Sequence, residues 1–480
     1  MKYLPVMPIE PEPRETPNPK IGAHTGDDPY LPTSGNGGYT VTGYDLDLDY
    51  RANTERLEGT AVLTAVATQK LSRFSLDLVG LVASKISVNG TRVAKFSQAD
   101  GTISIRPASP LPEGKPFTVM VLYAGFPHPT KSPAMSAPDA PGQRGEVGWT
   151  TFADSVHVVG SPNGAPTWFP CNDLASAKAP VRIRITCDTR FGVVATGELK
   201  SRQVRGERRT WVFATTEPVA PHQVGLALGQ FSAVHSDDFA QSYASPALVA
   251  AGFESLEVLP RMRMLFEDAF GPFPLAAHAV LITSDELPMP LSAHGLTVIA
   301  ATQLFTEESL SPGAFAAANT FQVDVVGGEL LLAREFARQW FGASLTAQSW
   351  RHAWLHEGFA LYGSWLWGDT AKLARRNWRT LSALPQDFTL ADPGADRLFD
   401  ARVAIRGALT LHALRVTVGD VEFFGLLRRW TQQHRHGTVT SEQFVDAATS
   451  TSPPHNSALR SLLHSWIEQA PLPPLPDPTD

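Results

Sequence analysis

The chain has 480 residues, 18% of them charged, against roughly 25% in an average soluble domain. Net charge is 40 − 47 = −7 and no long basic run occurs, which argues against a nucleic-acid partner. The composition also excludes a coiled coil, a collagen-like chain and a wholly disordered one, and the length allows about two to four domains.

Proline marks both ends. Residues 1–38 hold eight prolines and the last ten residues, PLPPLPDPTD, hold five of the 39 in the chain. Such stretches cannot build helix interiors or central strands, so they are expected as tails, 1–38 and 471–480, extended or draped over the surface. The N-terminus has no apolar core of signal-peptide type, and no run approaches the roughly 18 apolar residues of a membrane span. As written, the chain reads as cytoplasmic with no membrane partner.

From Tyr39 the pattern alternates strictly. TVTGYDLDLDYR places Tyr44, Leu46 and Leu48 on one face and Asp45, Asp47 and Asp49 on the other, the latter a solvated stripe. GTAVLTAVAT, FSLDLVGL, SKISVNGTRV, TISIRP and FTVMVLYAG follow, then PVRIRITCDT, GVVATGEL, TWVFATTE and GLALGQFSAV. Residues 39–235 are therefore predicted as an antiparallel all-β domain. Beyond about residue 250 the period shifts toward 3.6. LEVLPRMRMLFEDAFG ends at Gly271-Pro272, a helix stop, and two β-like stretches (HAVLITSD, LTVIAATQLF) come next. Helical patterns then run through GGELLLAREFARQWFG, EGFALYGSWLWGD, ARVAIRGALTLHALRVTVG, EFFGLLRRWTQQH and NSALRSLLHSWIEQ. The predicted class is α+β, with a second domain over 236–470 that is largely helical toward its end. Cys171 and Cys187 lie in no metal-binding spacing and read as buried free thiols.

The run LLLAREFARQWFGASLTAQSWRHAWLHEGFALY, residues 330–362, resembles the zinc-site region of the aminopeptidase N family of gluzincin metallopeptidases. FEDAFGPFP at 266–274, GAPTWFPCND at 164–173 and the GAL segment at 407–409 agree with the same family, as does GGYTVTGYDLDLDY. The resemblance implies an N-terminal β saddle followed by a thermolysin-like domain. It also implies a short form without the helical C-terminal domain of longer members.

In that family a helix carries HExxH, two imidazoles for zinc and a glutamate as base, and a later glutamate is the third ligand. Here Arg334 and Arg338 hold the histidine places, Glu335 the base and Glu357, nineteen residues after Arg338, the third ligand. Arginine has no lone pair to give a metal. Ser292 stands where the family's amine-binding glutamate would be, Ala404 where its transition-state tyrosine would be, and Ser364 where an outer carboxylate would be. The resemblance therefore implies a degenerate site with no metal and no cofactor.

The charges of Arg334, Glu335, Arg338 and Glu357 sum to zero. One reading is a self-satisfied ion-pair plug. The other is a repurposed pocket with Glu335 and Glu357 as its catalytic groups and Arg334, Arg338, Ser292, His294, His352 and His356 as binding groups. Flanked by guanidiniums, Glu335 suits the role of base better than that of acid. The ligand in the interdomain cleft would be a small molecule undergoing metal-independent chemistry such as cyclisation, isomerisation or hydration. The alternative is a peptide or partner protein held without catalysis.

Overall fold

The computed structural model describes residues 18–132, 145–236, 240–250, 255–304, 327–450 and 456–476. The outer parts of both proline-rich tails, 1–17 and 477–480, lie outside the described residues.

The alternation of Tyr39–Arg51 makes it a central strand of an eight-stranded sheet. Its order is Glu198–Arg205, Arg208–Ala214, Val181–Asp188, Tyr39–Arg51, Arg56–Ala67, Pro116–Gly125, Val82–Val88, Thr91–Arg92. Seven strands match the antiparallel expectation with their neighbours, but Val181–Asp188 joins Tyr39–Arg51 in parallel. That pairing changes the meaning of the acidic stripe. Arg182 registers opposite Asp45 and Arg184 opposite Asp47, with N–O distances of 2.8 and 3.8 Å, and Arg208 reaches Asp49 at 2.5 Å. The stripe is exposed, as expected, and is answered by arginines. Each such surface pair is worth only about 0–1 kcal/mol. A five-stranded sheet and a four-stranded sheet complete the β-rich half, and Leu46, Leu48, Trp149, Trp168 and Phe169 lie in its buried core. Cys171 and Cys187 are buried and unpaired.

The second half opens with a mixed sheet in the order Ser232–Ser236, Ala240–Ala244, His278–Thr283, Leu296–Ala300, Leu291–Ala293. Its last member is an antiparallel edge strand. Helices of ten or more residues follow the pattern read from the sequence: α1 Leu259–Phe270, α2 Gly328–Ala337, α3 Trp354–Trp367, α4 Thr370–Ser382, α5 Ala401–Val418, α6 Asp420–Gln433, α7 Ser441–Ser450 and α8 Asn456–Ile467. α1 stops at Gly271, whose φ of 90° no bulkier residue adopts easily. α4 and α7 escape the periodicity reading because each buries few large apolar residues, Leu373 and Leu381 in α4 and Phe444 in α7. The result is an N-terminal β-rich domain and a helical C-terminal part. Among the described residues no helix is long and apolar enough to cross a membrane.

Polar contacts join the halves. Asp285, after His278–Thr283, accepts at Oδ2 from His157 Nε2 at 2.8 Å, Ser155 Oγ at 2.6 Å and Thr283 Oγ1 at 2.6 Å. Serine and aspartate both meet the same imidazole nitrogen, so the group is a latch and not a proton relay. Segment 18–38 crosses from one half to the other. Lys20–Ile21 pairs with Leu71–Asp77, Asp28 Oδ2 accepts from Trp350 N at 2.9 Å, and Tyr30 Oη bonds to Asp392. At the other end, Leu472 and Leu475 pack on the helical core and Pro473 O accepts from Trp378 Nε1 at 2.9 Å. This part of the tail is draped on the surface as its composition suggested.

Candidate functional site

Two close helix approaches create the site. A Cβ on Gly363 would lie 2.5 Å from Ala337 Cβ, so a glycine in α3 lets α2 approach. On the opposite flank a Cβ on Gly358 would lie 2.7 Å from Gly407 Cα, which brings α5 against α3. Side chains from α2 and α3 therefore meet across a short gap.

Glu357 from α3 is the hub. Arg338 donates Nη1 to Oε1 at 2.6 Å and Nη2 to Oε2 at 2.7 Å, and Arg334 Nη2 reaches Oε2 at 3.0 Å. Arg338 Nε also lies 3.0 Å from Glu335 Oε2, to which Ser292 Oγ donates at 2.5 Å. Arg334, Glu335 and Glu357 are buried, whereas the Arg338 side chain is 18% exposed. Burial alone would push the Glu357 carboxyl up. Arg338, and Arg334 behind it, outweigh that and hold it at about 2. Burial likewise opposes the Arg338 charge, and Glu335 and Glu357 more than compensate, raising its pKa. The expected convergence of Arg334, Glu335, Arg338, Glu357 and Ser292 is present.

Gln339 brings Ser292 to this network. Its Nε2 donates to Ala293 O at 3.2 Å and its Oε1 accepts from Gly295 N at 2.9 Å, fixing the edge strand over Glu335. Sequence reasoning missed this role, although a buried polar residue next to two arginines was the available signal.

The histidines are placed differently. His356 Nε2 accepts from Ala347 N at 2.6 Å, and His352 Nδ1 faces Ser441 Oγ at 3.0 Å, itself bonded by Trp354 Nε1. Burial lowers the pKa of His352, and of His356 to about 4. His294 is 2% exposed, and burial, with Lys178 as a second cause, lowers it to about 3. None of the three has a hydrogen bond or ion pair to the four charges among the described contacts. Lys178 was also missed. Its Nζ donates to Ala343 O at 3.2 Å, Ser344 O at 2.6 Å and Gly437 O at 3.3 Å, pinning the β-rich half to the turn after α2, and burial draws it down to about 7. A lone lysine in the apolar stretch LASAKAP was the clue. Ala404 is buried in α5, and Ser364 Oγ turns back to Leu361 O at 2.7 Å.

Zinc coordination draws on lone pairs from imidazole, thiolate or carboxylate. The ligand places here offer Glu357 alone, and both of its oxygens already accept from guanidinium groups. Among the described residues no group of three or more His, Cys, Asp or Glu is arranged to hold a metal ion.

The model of the peptidase family M1 domain matches residues 255–466. Aminopeptidase M1-A of Oryza sativa subsp. japonica is 26% identical over 328 residues, which is 64% of this chain and 36% of that protein. Aminopeptidase N of Lactococcus lactis subsp. lactis is 26% identical over 337 residues, 63% of this chain and 37% of that one. The chain thus spans about a third of the length of these curated relatives. An M1 zinc metallopeptidase from Deinococcus radiodurans superposes with a TM-score of 0.81 at 27% identity, covering 95% of this chain and 100% of that one. A mutant of that enzyme bound to a Tyr-Ser-Ala substrate gives the same TM-score at 28% identity. The family model, these relatives and the shared two-domain fold together support membership of this chain in the M1 aminopeptidase family of gluzincins.

Proposed function

We propose that this chain is an M1-fold protein without zinc or peptidase activity, in which Arg334 and Arg338 serve as the cationic partners that Glu357 would otherwise find in a metal. The observation that carries the reading is the three-contact clamp of two guanidiniums on Glu357. A carboxylate so held is spent as a ligand, and the two flanking places carry no lone pairs, so the donor set does not fit zinc. Glu335 is held too, by Ser292 and Arg338, which favours a fixed network over a mobile base. The protein therefore keeps the cleft as a non-hydrolytic binding site for a peptide or amino acid. The D. radiodurans enzyme, bound to Tyr-Ser-Ala or to L-arginine, is the precedent for such ligands on this fold.

A second reading, metal-independent chemistry on a small molecule with Glu335 as base, draws on the 2.5 Å Ser292–Glu335 contact beside the partly exposed Arg338. Elemental analysis and an aminopeptidase assay on the as-isolated protein, with and without added zinc, test the main reading. Stoichiometric zinc or zinc-dependent hydrolysis overturns it. Calorimetric titration with short peptides and amino acids tests binding, and turnover of a bound ligand without metal would transfer the assignment to the second reading.

A further inference from the structure

Far from the arginine network, three chain segments meet at a buried acidic pair. Asp77 ends the strand Leu71–Asp77, Asp173 follows the bridge between Asp77 and Cys171, and Gly35–Asn36 belong to the N-terminal strap. Asp77 and Asp173 are each 5% exposed and Asn36 is 1% exposed. Asp77 Oδ2 accepts from Asp173 N at 2.9 Å and from Gly35 N at 3.2 Å, contacts that favour its ionised form. Asn36 is held by its backbone: its N donates to Asn172 Oδ1 at 2.7 Å and its O accepts from Asn172 Nδ2 at 3.1 Å.

The side chains are less well served. Asp173 Oδ2 and both polar atoms of the Asn36 carboxamide, which faces Asp77, lack a hydrogen-bonding partner of good geometry among the described residues. No lysine, arginine or histidine figures among the groups acting on either carboxyl, and Asp77 is the charge that acts on Asp173. Two buried carboxyls with no cationic partner and a neighbouring orphaned carboxamide oxygen are costly unless something of positive charge lies between them. The free donors are all oxygens, the chemistry of a hard cation rather than of zinc or copper.

We propose that Asp77, Asp173 and Asn36 form an oxygen-lined site for a hard divalent cation, calcium or magnesium, that fastens the N-terminal strap to the β-rich half. The site is separate from the arginine network and stands whether or not that network binds a ligand. Through the strap, cation binding would reach Trp350 and Asp392, which Asp28 and Tyr30 touch.

The test is thermal unfolding of the full chain after exhaustive chelation, with calcium, magnesium or sodium chloride added back. The wild-type midpoint is expected to rise by about 3 °C or more with a divalent cation and not with sodium at equal ionic strength. Asp173→Asn should abolish the shift, and Asn36→Ala should weaken it if the first variant folds poorly. An unmoved wild-type midpoint in both divalent salts, or an equal shift in Asp173→Asn, overturns the proposal and leaves a proton as the shared cation.

Discussion

Arg338 and Glu357 meet in a two-point fork, nitrogen to oxygen at 2.6 and 2.7 Å, across the gap between α2 and α3. The fork makes the network unequal. Glu357 neutralises two guanidiniums, whereas Arg334 keeps Glu357 company if Arg338 is lost.

Glu357→Gln should therefore destabilise more than Arg338→Gln. Removing one member of a buried pair costs about 3–5 kcal/mol, and Glu357→Gln leaves two buried cations facing a neutral amide. Urea unfolding of the two variants checks the order. Equal costs, or a negligible cost for Glu357→Gln, would show the clamp to be energetically idle.

The same carboxylate sets an acid limb. Its folded pKa of about 2 lies below the ordinary 4.5, so its stabilisation is complete above about pH 4.5 and is lost as pH falls toward 2. Asp77 works in the opposite sense. Burial raises its carboxyl to about 6, despite hydrogen bonds that lower it, so its contribution is full below pH 3.8 and is lost as pH rises through 6. In chelator, unfolding free energy should rise with pH up to about 4.5 and be held back between about 4 and 6. Glu357→Gln should flatten the first limb and leave the second.

Arg334→His with Arg338→His would rebuild two imidazoles at i and i+4 beside Glu357. The double variant is expected to bind one zinc per chain, read by elemental analysis after dialysis. Aminopeptidase turnover should stay far below that of an intact family site, because Ser292 and Ala404 still stand at the substrate-binding places. A double variant that folds and takes no zinc would mean the α2–α3 spacing no longer suits a metal.

Arg406 is fully buried in α5 and donates to the carbonyls of Ser465, Trp466, Gln469, Ala470 and Pro471, with no carboxylate among these partners. It holds the exit of α8 through backbone oxygens alone. Arg406→Met keeps the aliphatic stem and should cost roughly 3–5 kcal/mol through carbonyls left without a donor. Proteolysis near residue 470 should speed up in parallel.

What could be read in advance follows from how each feature is encoded. Alternation in Tyr39–Arg51 and the 3.6 period of α3 and α5 are local, so strands and helices were legible. The parallel pairing of Val181–Asp188 with Tyr39–Arg51 is not, because residues 130 or more apart meet there and both strands alternate alike. At the site, one family spacing pointed to Arg334, Glu335, Arg338 and Glu357. It could not say that both arginines would take Glu357, since that depends on how close α2 and α3 come. His352 and His356 misled for the same reason: their neighbours Ser441 and Ala347 come from a distant helix and from a short strand. Tertiary partners decided what residue type left open.

The strap at residues 18–38 has a consequence for the order in which the chain assembles. Asp28 waits for Trp350 and Tyr30 for Asp392, across 322 and 362 residues. During synthesis the segment that emerges early can pair with Leu71–Asp77 at once, but its other half has no partner until most of the chain is made. Contacts of such long range are slow to form. The two halves would therefore fold in sequence and be tied together last, by the residues that were made first.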